Sequence, residues 1–140
     1  MNDLEKAKTV LYSDCDFTCV LCKGSITYTS RQRGIVPMVD FLSEGIDLSH
    51  FSAADKIVGK AAAMLFVLAD VKEVYAAVMS ASAAKLLAEH GIVPIYDTLT
   101  ECIVNRSGDG LCPMEKAVQN IKEPEEALQA IRSTLAALRK

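Results

Sequence analysis

"FSAADKIVGKAAAMLFVLADVKEVYAAVM", residues 51–79, is the stretch on which the fold turns. Its first twenty residues predict a helix. Ser52 followed by Asp55 fits an acidic variant of the capping box, and Ala, Met and Leu favour helical backbone. Only Asp55, Lys56 and Lys60 are charged before Asp70. A helix so nearly apolar all round must lie deep between other elements. "VKEVYAAVM" (71–79) then reads as a strand.

Outward from this stretch the pattern alternates. "SASAAKLLAEHG" (80–91) predicts a helix with Ser80 as cap and Gly91 as stop. "IVPIYDTL" (92–99) and "ECIVNR" (101–106) read as strands, and "CPMEKAVQNI" and "PEEALQAIRSTLAALRK" as helices opened by proline. Towards the N-terminus, "GIVPMVDFLSEG" (34–45) predicts a short helix. "FTCVLCKGSITYTS" (17–30) predicts a hairpin turning near Lys23-Gly24, and "LEKAKTVLYS" another short helix. Hairpin, helix, strand, helix, strand implies a mixed sheet with helices on both faces, a three-layer α/β/α sandwich. One domain is expected over 1–140, with 119–140 as a C-terminal helical extension.

Composition narrows the function. At 51% hydrophobic and 24% charged, 140 residues can bury a sizeable core. A net charge of −3 offers no electrostatic reason for nucleic acid as a partner. The longest apolar run, Ala61 to Ala69, is far short of the roughly 20 residues a membrane span needs. "MNDLEKAK" has no apolar signal region, so five cysteines suggest reduced thiols and a cytoplasmic location.

"CDFTCVLCKG" (15–24) spaces three cysteines as C-x₃-C-x₂-C, which resembles the radical-SAM cluster motif. Cys19 and Cys22 fall in a predicted strand, where residues three apart face opposite sides. Their thiolates would diverge, so no metal and no cofactor is expected.

Three stretches, "RGIVPMVDFL", "VGKAAAMLFV" and "NRSGDGLCPMEKAV", resemble a domain-of-unknown-function family assigned to the cytidine-deaminase-like fold. The resemblance implies that fold from the first hairpin to Val118. Working deaminases carry H-x-E and P-C-x-x-C around zinc. At the corresponding places this chain has "DKIVGKAAA" and "MSASAAKLL", and Cys112-Pro113 reverses Pro-Cys. Zinc-dependent deamination is not expected, and the resemblance assigns no other activity.

The candidate site residues follow from the connection 105–115, where ligands of open α/β sheets gather. Asn105, Arg106 and Asp109 offer polar groups to a ligand. Cys112 would sit at a helix N-terminus, where the dipole favours thiolate, with Glu115 as proton carrier or as a cap of helix amides. Turn chemistry alone accounts for the same residue types. Lys60, on an apolar helix, must reach solvent, an acid or a ligand. Gly59 beside it permits close approach of another group. Ser80 and Ser82 could bind an anion or simply cap. Arg31 and Arg33 read as a solvated loop, and His50 and His90 as surface or cap residues.

Two functions compete. One is a protein binding a small polar or nucleotide-like ligand through Lys60, Ser80, Ser82, Asn105, Arg106 and Asp109. It could carry metal-free chemistry at Cys112 and Glu115. The other is a non-catalytic homo-oligomer or partner-binding module. There, Leu128, Ile131, Leu135 and Leu138 form a stripe that could dock a partner or cover the chain's own sheet.

Overall fold

The computed structural model describes residues 2–104, 108 and 110–138. Residues 51–70 divide in two. Ser52–Val58 is strand β3 of the central sheet, and the helix begins only at Lys60. The expected helix start at Ser52 is therefore wrong. Ala53 and Ala54 are fully buried between neighbouring strands, and the small side chains let the sheet be covered on both faces. Tertiary packing overrides the helical propensity of alanine here. Ile57 and Val58, β-branched and followed by glycine, are the local strand signal.

The remaining elements are α1 (Asp3–Ser13), β1 (Cys19–Lys23), β2 (Ile26–Ser30), α2 (Val36–Ser43), α3 (Lys60–Ala69), β4 (Glu73–Ser80), α4 (Ala81–Glu89), β5 (Val93–Thr100), α5 (Pro113–Val118) and α6 (Pro124–Leu138). The first hairpin turns at Gly24, whose φ of 59° suits glycine. Asn2 caps α1 through its side chain, and Ser80 caps α4 as expected. The stretch 101–106 yields no strand among its described residues; Val104 makes an isolated antiparallel bridge to Leu111.

Strand order is β2-β1-β3-β4-β5. β1 is antiparallel to both neighbours, whereas β3, β4 and β5 run parallel and are linked by α3 and α4. Sheet alternation sorts β1 between two cores. Cys19 and Leu21 join the larger cluster with Met64, Leu65 and Phe66 of α3. Val20 and Cys22 join the smaller one with Ala7 and Leu11 of α1. Each large apolar side chain so buried contributes about 1.5–3 kcal/mol.

The C-terminal stripe is used at home, chiefly against α3 and α5. Ile131 is fully buried, Leu128 and Leu135 partly, and Leu138 is exposed. Among the described residues no helix is long and apolar enough to cross a membrane.

Candidate functional site

A cleft of about 840 Å³ opens at the carboxyl end of β3. Thr18 borders it just before β1, residues 33–36 lead from it into α2, and Cys112 and Glu115 come from the start of α5. Ile57, Ala62 and Leu135 contribute to its largely apolar walls.

Asp55 is the acid in its lining that the sequence reading had assigned to a helix cap. In β3 it faces Cys19 across the antiparallel pair and Ala76 across the parallel one. Its Oδ1 accepts the backbone N–H of Lys56 at 2.7 Å and of Ile57 at 3.4 Å. The residue is 8% exposed. Burial pushes its carboxyl up to about 7, against the opposing pull of those two N–H groups. Burial, with the Asp55 charge adding to it, also pushes the Cys19 thiol up, so it stays protonated.

Glu115 is spent differently. Its Oε1 accepts the N–H of Lys60 and its Oε2 that of Ala61, both at 2.8 Å. Gly59, the N-cap of α3, has no side chain to do this. A carboxylate from α5 therefore satisfies the first amides of a different helix and meets its positive end. This is the close approach that Gly59 permits: a Cβ there would fall 2.6 Å from Glu115 Cδ.

Cys112 is the N-cap of α5, half-buried, with its N–H donated to Ile103 O at 3.0 Å. It shares the cleft with Asp55, Glu115 and Arg33. Lys60 and Ser82 line a smaller neighbouring pocket of about 310 Å³, which Glu115 also touches. Lys60 Nζ donates to Gln119 O at 3.2 Å. Ser80 is fully buried, and its Oγ accepts the Ala83 N–H at 3.2 Å as a cap. Asn105, Arg106 and Asp109 lie outside the described residues.

Asp55 was missed because "SAAD" reads as a capping box; the "KIVG" that follows was the signal for a strand ending at a glycine. Arg31 is held by Asp14 at 2.7 Å and stacks over Phe17. The Arg33 carbonyl accepts the Val36 N–H at 3.4 Å, and its side chain makes no hydrogen bond or ion pair among the described residues.

The cysteine motif does not converge. Cys15 is exposed, and Cys19 and Cys22 belong to cores on opposite sheet faces. Among the described residues, three potential metal-ligand atoms meet at Asp14, Cys15 and Asp16. That exposed turn is already bound by Arg31.

The family model described as "Domain of unknown function (DUF1893)", TM1506, matches residues 6–135. The chain belongs to the DUF1893 family. The crystal structure of a DUF1893 family protein, TM1506 from Thermotoga maritima, superposes with a TM-score of 0.81 at 27% sequence identity. The match covers 98% of this chain and 91% of that one. No curated protein matches the chain. The DUF1893 family is thus shown by sequence and by fold together, and its description carries no activity.

Proposed function

We propose that this DUF1893 protein binds a small polar or nucleotide-like metabolite in the cleft at the end of β3. The observation that carries this reading is the cleft itself. It has about 840 Å³ of largely apolar space into which Arg33, Asp55 and Cys112 bring ionisable groups. Ligand pockets commonly have this size and this mixture. The 2-1-3-4-5 strand order, with α1 against one face and α3 and α4 against the other, supports a three-layer, cytidine-deaminase-like architecture.

Zinc does not fit the residues present. The helices that would supply its ligands begin with Gly59, Lys60 and Ala61, and with Ser80, Ala81 and Ser82. His50 lies before β3, and His90 is at the far end of α4. Chemistry in the cleft, if the ligand is turned over, falls to Cys112 as nucleophile. Asp55 replaces Glu115 as the better proton carrier, because both Glu115 oxygens are committed to α3.

Native mass spectrometry of protein incubated with a small-molecule extract tests the reading. The expected result is a retained mass that disappears in Ala62→Trp, which fills the cleft. Protein that retains nothing, or that retains the same mass in the blocked variant, defeats it.

One observation favours the non-catalytic alternative. β5 is an edge strand with Val93, Tyr96 and Leu99 exposed. A stable dimer in sedimentation, broken by Tyr96→Lys without change in ligand retention, would favour that role.

A further inference from the structure

An acid buried without a counter-ion is costly, and proteins usually pair it or leave it neutral. Asp55 is such an acid. No ion pair reaches it among the described residues, and its strand neighbours are a thiol and an alanine. Oδ1 is occupied by two backbone N–H groups, and the other contact of the carboxyl is the Cys19 thiol, a weak donor without charge; among the described residues no further N–H or O–H reaches it. The nearby lysines are engaged elsewhere: Lys56 Nζ donates to Cys15 O at 2.8 Å, and Lys60 Nζ to Gln119 O. Arg33 borders the same cleft, exposed, with its guanidinium unpartnered among the described residues. Among the described residues, the cleft thus carries a carboxyl without a counter-ion on its lining and a cation without an acid on its border, with apolar wall around them.

We propose that the cleft takes a ligand with a protonated nitrogen head, amidinium or amine, that pairs with Asp55, and an anionic group that meets Arg33. This rests on the binding reading above and adds the ligand's charge pattern to it. A cationic head supplies a counter-ion that the described residues do not. An amidinium also presents parallel N–H donors to a carboxylate, the strongest form of this contact. A flat apolar body between head and tail matches Ile57, Ala62 and Leu135.

Pairing with a cation favours ionised Asp55, so binding near neutral pH releases a proton. The other titratable groups around the cleft are Cys19 from β1, Cys112 and Glu115 from α5, Lys56 from β3 itself, and Arg33. Cys19 remains a thiol, so it does not supply that proton.

Benzamidine, its neutral relative benzamide, and 4-amidinobenzoate serve as probes, followed by NMR shift changes and by calorimetry in buffers of different ionisation heat. Benzamidine should bind in the cleft about tenfold more tightly than benzamide, the scale of one charge-assisted contact. Binding should release about half a proton at pH 7, as expected for a carboxyl that is half-ionised there. Asp55→Val should erase both the preference and the proton release. The added carboxylate should tighten binding in the parent and not in Arg33→Gln. Equal binding of benzamidine and benzamide, a preference that survives Asp55→Val, or no binding by any probe overturns the inference. Those outcomes leave the broader cleft reading standing if the extract experiment still yields a retained mass lost in Ala62→Trp. A thermal melt of each variant separates lost binding from lost folding.

Discussion

Two carboxylates line one cleft and are used in opposite ways. Glu115 gives both oxygens to the first amides of α3, and so ties α5 to the helix that follows β3. Asp55, in the middle of β3, has one oxygen held by its own strand's backbone and no cation opposite among the described residues. The first is a fastening and the second is poised. A carboxylate facing helix amides stabilises the fold as an anion. One facing a thiol and apolar walls destabilises it as an anion, and such a cost is tolerated where the group has another use.

The sharpest way to break this contrast is pH. The folded-state value of Asp55, about 7, lies above its ordinary 3.8, so the native state holds a proton that the unfolded chain has released between those limits. Stability therefore falls as pH rises through that window and is lowest above pH 7, the reverse of a salt-bridged carboxylate. Between pH 5 and pH 8 the parent should lose about 2–3 kcal/mol relative to Asp55→Asn. Urea unfolding of both proteins at the two pH values checks this. Parallel pH profiles would mean that Asp55 is not the strained group.

Glu115→Ala should cost about 2 kcal/mol at pH 7, because two helix amides lose their acceptor and α5 loses its anchor. Denaturant midpoints read it. A cost below a few tenths would place Glu115 with the free acids of the cleft. Gly59→Ala should cost about 1–2 kcal/mol, since the new methyl displaces the Glu115 carboxylate. In the double variant Gly59→Ala/Glu115→Ala the costs should add to less than their sum, as both act on one contact.

The smallest effect belongs to the opposite sheet face, where Tyr12, Tyr75 and Asp97 are joined by hydrogen bonds. Tyr75 OH donates to Asp97 at 2.5 Å, so the 2.7 Å contact with Tyr12 must have Tyr12 as donor. Burial, reinforced by these partners, pushes the Tyr75 hydroxyl up, and it stays protonated. Tyr75→Phe should cost about 1 kcal/mol in a melt and leave probe binding in the cleft unchanged.

Much of this was legible in the residues. Pro37, Ser80, Pro113 and Pro124 mark helix starts, and Gly24 marks the hairpin, because each acts through its own backbone. The same reading named Cys112 and Glu115 as candidates, and the structure sets both on the lining of one cleft. It could not find Asp55 there, because a strand written with alanines is helical by propensity and becomes a strand only between β1 and β4. Nor could it see that Glu115, assigned to proton transfer or to helix amides in general, reaches back some 55 residues to α3.

The sequence by itself determined the first hairpin, the helix starts at proline and serine, and the divergence of Cys19 and Cys22, and it carries neither H-x-E nor P-C-x-x-C. Each of these depends on neighbours a few positions apart. Only the tertiary structure decided which acid is fastened and which is left unpaired. A carboxylate's state depends on the amides, charges and solvent around it, and in this fold those come from chain segments far apart in sequence.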